Sequence, residues 1–449
     1  MKHGYVILTI ILLTGLSLSS CRKSDYEVEG APEVIRDNGG GTGTVIWTRD
    51  RNYLIEGFVF VNDGQELTIE KGTVVRFKTG QGSAASALIV ARGGKIFAVG
   101  TESEPIIFTA EEDDLMGSVP VDASGLWGGL IILGNARLNL SSGEARVEGI
   151  PLYEPRGVYG GYDDDDNSGM LQYVSIRHGG TNIGEGNEIN GLTLAGVGRK
   201  TKISHIEVIS NADDGVEIFG GTVDLKYICV AFCFDDAFDF DLGYRGRLQF
   251  VLAIQHFDRG DKLIETDGGM DPVSGTPYTR PVLYNGTFIG RGMSENMKLG
   301  AFGRNGGGII GNSIFINQRH GFEIEYIQGF ESSYQQFVNG NLAFGGNIFY
   351  DVEGNIPDSL LTVVSTPGVD VQAQQEALIS HFYSGNNQLS DPEIRITGNF
   401  FDIFPKGNVY DQLAPLPDNW FDLTVFKGAF YTYSWVEGWT LLNQAGYVP

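Results

Sequence analysis

Two acidic pairs, Asp213-Asp214 and Asp235-Asp236, stand 22 residues apart in the chain. Each precedes a short run that alternates apolar and acidic residues, Val216-Glu217-Ile218 after the first and Phe238-Asp239-Phe240-Asp241 after the second. Glu265 and Asp267 continue the pattern, and Lys298 and Glu323 follow it. If consecutive runs stack as strands, their carboxylates come within ~5 Å of one another. So many anions repel unless protons, basic partners or a cation offset them. Calcium takes about six to eight oxygens, and two stacked carboxylates can share it. Asp213, Asp214, Asp235 and Asp236 are therefore candidate metal ligands. Glu217, Asp239, Asp241, Glu265, Asp267, Lys298 and Glu323 make up a candidate binding face. The same side chains admit two enzymatic readings. A lyase would use a cation with Lys298 or Arg245 to neutralise a uronate and abstract its proton. A hydrolase would need two opposed carboxyls, for which Asp239 with Glu265 or Asp241 are available. The bland alternative is a solvated acidic face, or Asp side chains accepting from turn amides.

Other chemistry-bearing residues are sparser. Asp163-Asp164-Asp165-Asp166 reads as an acidic loop, a second place for calcium or simply a solvated loop. His178, His205, His256, His320 and His381 show no metal-ligand spacing and no Ser or Cys partner. His178 and His205 lie about one coil apart, close enough in register to stack. Cys229 and Cys233 sit in an apolar run; four residues along a strand is ~13 Å, too far for a disulfide. No catalytic residue is assigned.

The elements that would position these side chains are β. The chain has 449 residues, 42% hydrophobic, which is enough for a large core. Its 64 glycines are about twice the ordinary share and follow no three-residue repeat, which excludes collagen. A formal charge of −25 excludes nucleic acid and anionic lipid as partners. Met1-Lys2-His3, an apolar stretch over 6–18 and the small residues before Cys21 read as a signal peptide over residues 1–20. Residues 21–46 read as a flexible tether. From Trp47 onward short strand-like runs alternate with Gly and Asn/Asp turns. Runs beginning at Gly191, Gly215, Ala237 and Lys262 are spaced by 24, 22 and 25 residues. That period, with strands of three to five residues, predicts an all-β fold, a parallel β-helix (solenoid) over residues 47–354. Leu192, Val216, Phe238, Ile264, Met297 and Phe322 should face its core, and Thr193, Glu217, Asp239, Glu265, Lys298 and Glu323 should point out. Residues 355–395 read as a helical insertion, and 396–449 as the last coils and a C-terminal cap.

Several strings carry a resemblance: residues 53–61, Gly125-Leu126-Trp127-Gly128-Gly129, residues 187–194, Asp213-Asp214-Gly215-Val216-Glu217, residues 238–246, and the terminal Lys427-Gly428-Ala429-Phe430. Together they resemble a family of surface lipoproteins and secreted proteins of Bacteroidota-type bacteria. The resemblance implies a right-handed β-helix and carries no established activity. Leu18-Ser19-Ser20-Cys21 is similar to a bacterial lipobox, which implies cleavage before Cys21, lipid on that cysteine, and anchoring in the outer membrane facing outward. The expected function is a non-catalytic binding module for a cation (Ca2+), a glycan or a partner protein, accessory to an outer-membrane importer. The alternatives are a carbohydrate-active lyase or pectin-type hydrolase, and a structural or adhesion protein.

Overall fold

The computed structural model describes residues 30–184, 187–293 and 296–449. The expected signal peptide and Cys21 lie outside them. Among the described residues the strands form a sixteen-stranded and a ten-stranded sheet, and both are built of parallel neighbours from successive coils. In the coils that carry the acidic runs, a short strand of the ten-stranded sheet alternates with a long strand of the other. Leu192–Ala195, Val216–Phe219, Phe238–Asp241 and Lys262–Asp267 are the short strands. Lys202–Ile209, Asp224–Ala231 and Arg247–Ile254 are the long ones. The period read from the sequence is therefore the length of a coil, and the fold is an all-β parallel helix.

Each long strand is bent by one residue with positive φ. Tyr173, His205, Tyr227, Phe250 and Asn285 (φ 49°, 53°, 60°, 59° and 56°) occupy equivalent positions, skipped by the pairing on either side. The left-handed conformation costs a non-glycine residue roughly 1–2 kcal/mol. Stacking offsets that cost, because the ring centroids of Tyr173–His205, His205–Tyr227 and Tyr227–Phe250 are 4.2, 4.4 and 4.9 Å apart. His205 thus stacks with tyrosines and not with His178. The ring of His178 lies one turn away, with Nδ1 2.7 Å from the Ala123 carbonyl.

Leu192, Val216, Phe238, Ile264 and Phe322 are buried between the sheets as their alternation requires. The register slips at the next coil. Gly300 and Ala301, not Met297 and Lys298, stand beside Ile264 and Glu265, and Lys298 pairs with Lys262. Met297 is only half-buried. Both Leu263 and Ile264 are buried, so the strict two-residue alternation breaks there and the match by sequence pattern lands three residues early.

Three segments leave the coils. Residues 134–168 form an excursion containing an antiparallel hairpin, Glu144–Arg146 with Val158–Gly160. It lays Leu138, Ile150 and Tyr159 over Ile89, Ile131 and Phe219 on the outer face of the ten-stranded sheet. The helix Gln372–Ser384, expected as a loop insertion, closes the last coil. Leu378 and Phe382 enter the main core. Gln375 accepts from the Val363 amide (2.9 Å) and donates to the Leu361 carbonyl (2.8 Å). His381 Nε2 accepts from the Phe344 amide. These bonds satisfy backbone groups that an open sheet edge would expose. The segment over 396–449, expected as the cap, instead runs back along the outer face of the sixteen-stranded sheet. Phe430, Trp435 and Leu442 bury against Cys229, Leu252 and Ile314 there. The physical reason is that this face is apolar on its outside as well, so it needs a cover more than the coil end does. Glu207, fully buried, accepts from the Leu441 and Leu442 amides at 2.8 and 2.9 Å and fastens the tail 234 residues away.

Candidate functional site

The acidic pairs sit at the corner where a long strand turns into the next short one. Within each pair the two aspartates play different parts. Asp214 and Asp236 are buried and form a ladder: Asn190 Oδ1 accepts from the Asp214 amide, Asp214 Oδ1 from the Asp236 amide (2.8 Å), and Asp236 Oδ1 from the Lys262 amide (2.6 Å). Each carboxyl therefore stitches its coil to the next through a turn amide. Asp213 is half-buried and Asp235 exposed, and both remain turned outward.

Carboxylate oxygens of Asp213, Asp214 and Asp235 all lie within 4.8 Å of one another. The same holds for Asp214, Glu217 and Asp239, and for Asp235, Asp236 and Asp261. Oxygens on opposite sides of a calcium ion at about 2.3–2.6 Å would be separated by about 5 Å, so each trio has the dimensions of part of a coordination shell. Asp214 and Asp235 each belong to two trios. Asp239 Oδ1 is buried and accepts no hydrogen bond among the described residues. A buried acceptor without a donor costs about 1–3 kcal/mol, and a cation is one way to satisfy it.

Burial pushes Asp213, Asp214, Glu217, Asp235, Asp236, Asp239, Asp241 and Asp267 toward their neutral forms. Burial, then Glu148 and Asp235, hold Asp213 up at about 7. Burial carries Asp241 to about 7 and Asp267 to about 6. Asp214, Glu217, Asp236 and Asp239 are driven well above the carboxylate range by burial and then by neighbouring carboxylates, Glu148 and Glu265 among them. Lys262 answers part of this charge. Burial opposes its protonation, but Asp236 and Glu265 outweigh that and raise it, with Nζ 2.5 Å from Asp261 and 3.3 Å from Glu265.

Sequence reasoning missed four contributors. Glu148 reaches in from the excursion and shares a carboxyl–carboxyl hydrogen bond with Glu217. Asn190 Nδ2 donates to both of them. Asp261 completes the trio with Asp235 and Asp236, and Lys262 pairs with Asp236 and Asp261. Asp261 immediately precedes a strand as Asp213-Asp214 and Asp235-Asp236 do, so the repeat itself held that signal. Nothing in the sequence linked Glu148 to Glu217 across 69 positions. Glu217 does face outward, yet it is buried because the excursion covers it.

Other candidates stand apart. Asp241, Glu265 and Asp267 line the same face beyond the trios, half-exposed, with Asp267 3.1 Å from Arg304. Lys298 lies outside the row and pairs with Glu323 at 2.6 Å. Arg245 pairs with Asp164 at 2.6 Å, where Arg137 also reaches. Asp165 is met by Arg199 and Lys200, and Asp166 accepts from Asn135 and Ser168. Within the loop of four aspartates, Asp164 and Asp165 are thus engaged in ion pairs and Asp166 in hydrogen bonds. Cys229 and Cys233 are both free thiols in the buried interior.

Coil architecture defines a class, the parallel β-helices. Within it, a family model for a pectate-lyase-like β-helix domain matches residues 39–386, and the chain belongs to that family. No curated protein and no solved structure matches it.

Proposed function

We propose that this protein is a non-catalytic surface binding module whose acidic corner takes a divalent cation, calcium first. The observation that carries the reading is the meeting of Asp214, Glu217 and Asp239 oxygens within 4.8 Å, with Asp239 Oδ1 buried and lacking a donor. The outward carboxylates Asp213 and Asp235 leave such a cation open to a further ligand on the solvent side. An anionic glycan or an acidic loop of a partner protein has the oxygens to fill that side. Anchoring through lipid on Cys21, outward from the outer membrane and beside an importer, completes the proposal. One observation weighs against the lyase alternative. Lys298 and Arg245, the basic groups a lyase would use, are engaged by Glu323 and Asp164.

Calcium titration monitored by thermal unfolding tests the cation. A rise in melting temperature that disappears in the Asp213→Asn/Asp235→Asn/Asp239→Asn variant supports the reading, and an unchanged melting curve refutes it. Cys21→Ser tests the anchor: the variant should leave the membrane fraction and keep its signal peptide. Turnover of pectate or alginate to unsaturated product would favour the lyase.

A further inference from the structure

A second site lies on the other side of the 255–261 turn, where the C-terminal tail crosses the solenoid. A cavity of about 220 Å³ opens there, walled by Phe232, His256, Phe257 and Asn317 from the coils and by Phe401 and Tyr447 from the tail. Phe232 is its floor. Tyr447 meets that ring edge-on at 5.0 Å and His256 edge-on at 5.4 Å. Phe232 holds φ at +61°, a left-handed conformation that a bulky aromatic residue rarely adopts. Phe257 stands at the rim, 67% exposed, a large aromatic ring left in water.

His256 supplies the polar end. Its ring is only 7% exposed, and Nδ1 lies 2.5 Å from Asp258 Oδ1. Hydrogen bonds from Arg259 and His256 hold the Asp258 carboxyl down at about 2, so it is the acceptor and Nδ1 carries the hydrogen. In the neutral ring Nε2 is then an acceptor. It receives no hydrogen bond from any described residue.

We infer that this cavity binds a phenolic ring, whose hydroxyl donates to His256 Nε2 and whose ring lies against Phe257, Phe401 and Tyr447 at the cavity mouth. Size and chemistry both select that guest. A cavity of about 150 Å³ lined by apolar side chains accommodates benzene, and drug-sized ligands need about 300 Å³ or more. A single substituted six-membered ring falls between them. Aromatic walls prefer an aromatic guest in edge-on or offset contact, and Nε2 of the neutral His256 ring offers that guest an acceptor. A free phenol and a tyrosine side chain presented by a partner share this chemistry. The cavity shares the 255–261 turn with the acidic corner but none of its carboxylates.

The probe is p-nitrophenol, whose absorbance reports hydrogen bonding and ionisation of its hydroxyl, titrated into the whole folded protein without calcium. Saturable binding with a red shift of the band is expected, weakened at least tenfold in Phe257→Ala. The His256→Phe variant, which keeps a ring but has no acceptor, should abolish the red shift. Phe257 is a rim residue, so its variant folds, and unaltered thermal unfolding would verify that. Phenol should displace the probe and methyl glucoside should not. Displacement by N-acetyl-tyrosinamide as well as phenol assigns the site to a presented tyrosine, and displacement by phenol alone to a free phenolic molecule. Absence of saturable binding, displacement by methyl glucoside, or a shift that persists in His256→Phe would overturn the inference.

Discussion

The two outer faces of the solenoid differ in what they carry and in what covers them. The sixteen-stranded sheet turns Cys229, Leu252, Ile254 and Ile314 outward, and the C-terminal tail buries them completely. The ten-stranded sheet is apolar outside only in its first coils, and there the 134–168 excursion covers it. Where Asp239, Asp241, Glu265 and Asp267 take over, the cover stops and the side chains are half-exposed. Covering therefore tracks hydrophobicity strand by strand, and the boundary falls at Glu217, which has the excursion on one side and the acidic row on the other. An outward residue in a β-helix has to be read together with whatever segment crosses it.

The sharpest way to break this comparison is to cut into the tail. Phe430→Ala should destabilise the protein by about 3–5 kcal/mol, as much as Phe238→Ala between the sheets, because both leave a cavity in a closed core. Equilibrium denaturation of the two variants checks it. A loss below about 1 kcal/mol for Phe430→Ala would make the tail a loose appendage. Glu207→Gln should cost less, about 1–3 kcal/mol, through the weakened clasp on the Leu441 and Leu442 amides.

On the open face the expected signature is pH dependence. Asp213 and Asp241 are raised to about 7 and Asp267 to about 6 from 3.8. A carboxyl raised in the folded state binds its proton more tightly there than in the unfolded chain. Its contribution is full below pH ~4 and is lost as pH rises through about 6–7. Calcium-free protein should therefore melt at falling temperatures over that window, and calcium should flatten the decline. A melting temperature independent of pH between 4 and 8 would remove the basis for calling these groups strained. The smallest effect belongs to Lys298→Ala, at most about 1 kcal/mol, since its pair with Glu323 is one-third exposed.

Much of this was legible in the sequence because a solenoid repeats locally. The period located the short strands, and alternation placed Phe238 inside and Asp239 beside it facing out. Alternation failed at Met297 and Lys298, where Leu263 and Ile264 are both buried and the count shifts. The bend column was harder to see: Tyr173, His205, Tyr227 and Phe250 recur in register but are chemically unlike, and what they share is backbone conformation. The cap and the cover changed places because composition cannot say which apolar surface a tail will meet. The strip was half visible. Asp213-Asp214 and Asp235-Asp236 announce themselves, whereas Glu148 arrives from an excursion with no repeat to mark it, and Asn190 looks like any turn residue.

The central claim, that the acidic corner is a cation site, is tested most directly by calorimetric titration of calcium at pH 7 in two buffers of different ionisation enthalpy. Partly protonated carboxyls must give up protons to bind, so the expected result is saturable binding with heats that differ between the buffers in proportion to protons released. The melting temperature should rise in step, with about 2.7 kcal/mol of added stability at a hundredfold excess over Kd. The Asp213→Asn/Asp235→Asn/Asp239→Asn variant should lose all three signals. Heats of dilution alone for the wild-type protein, in both buffers and at millimolar calcium, would contradict the claim and leave the strip as a protonated seam between coils.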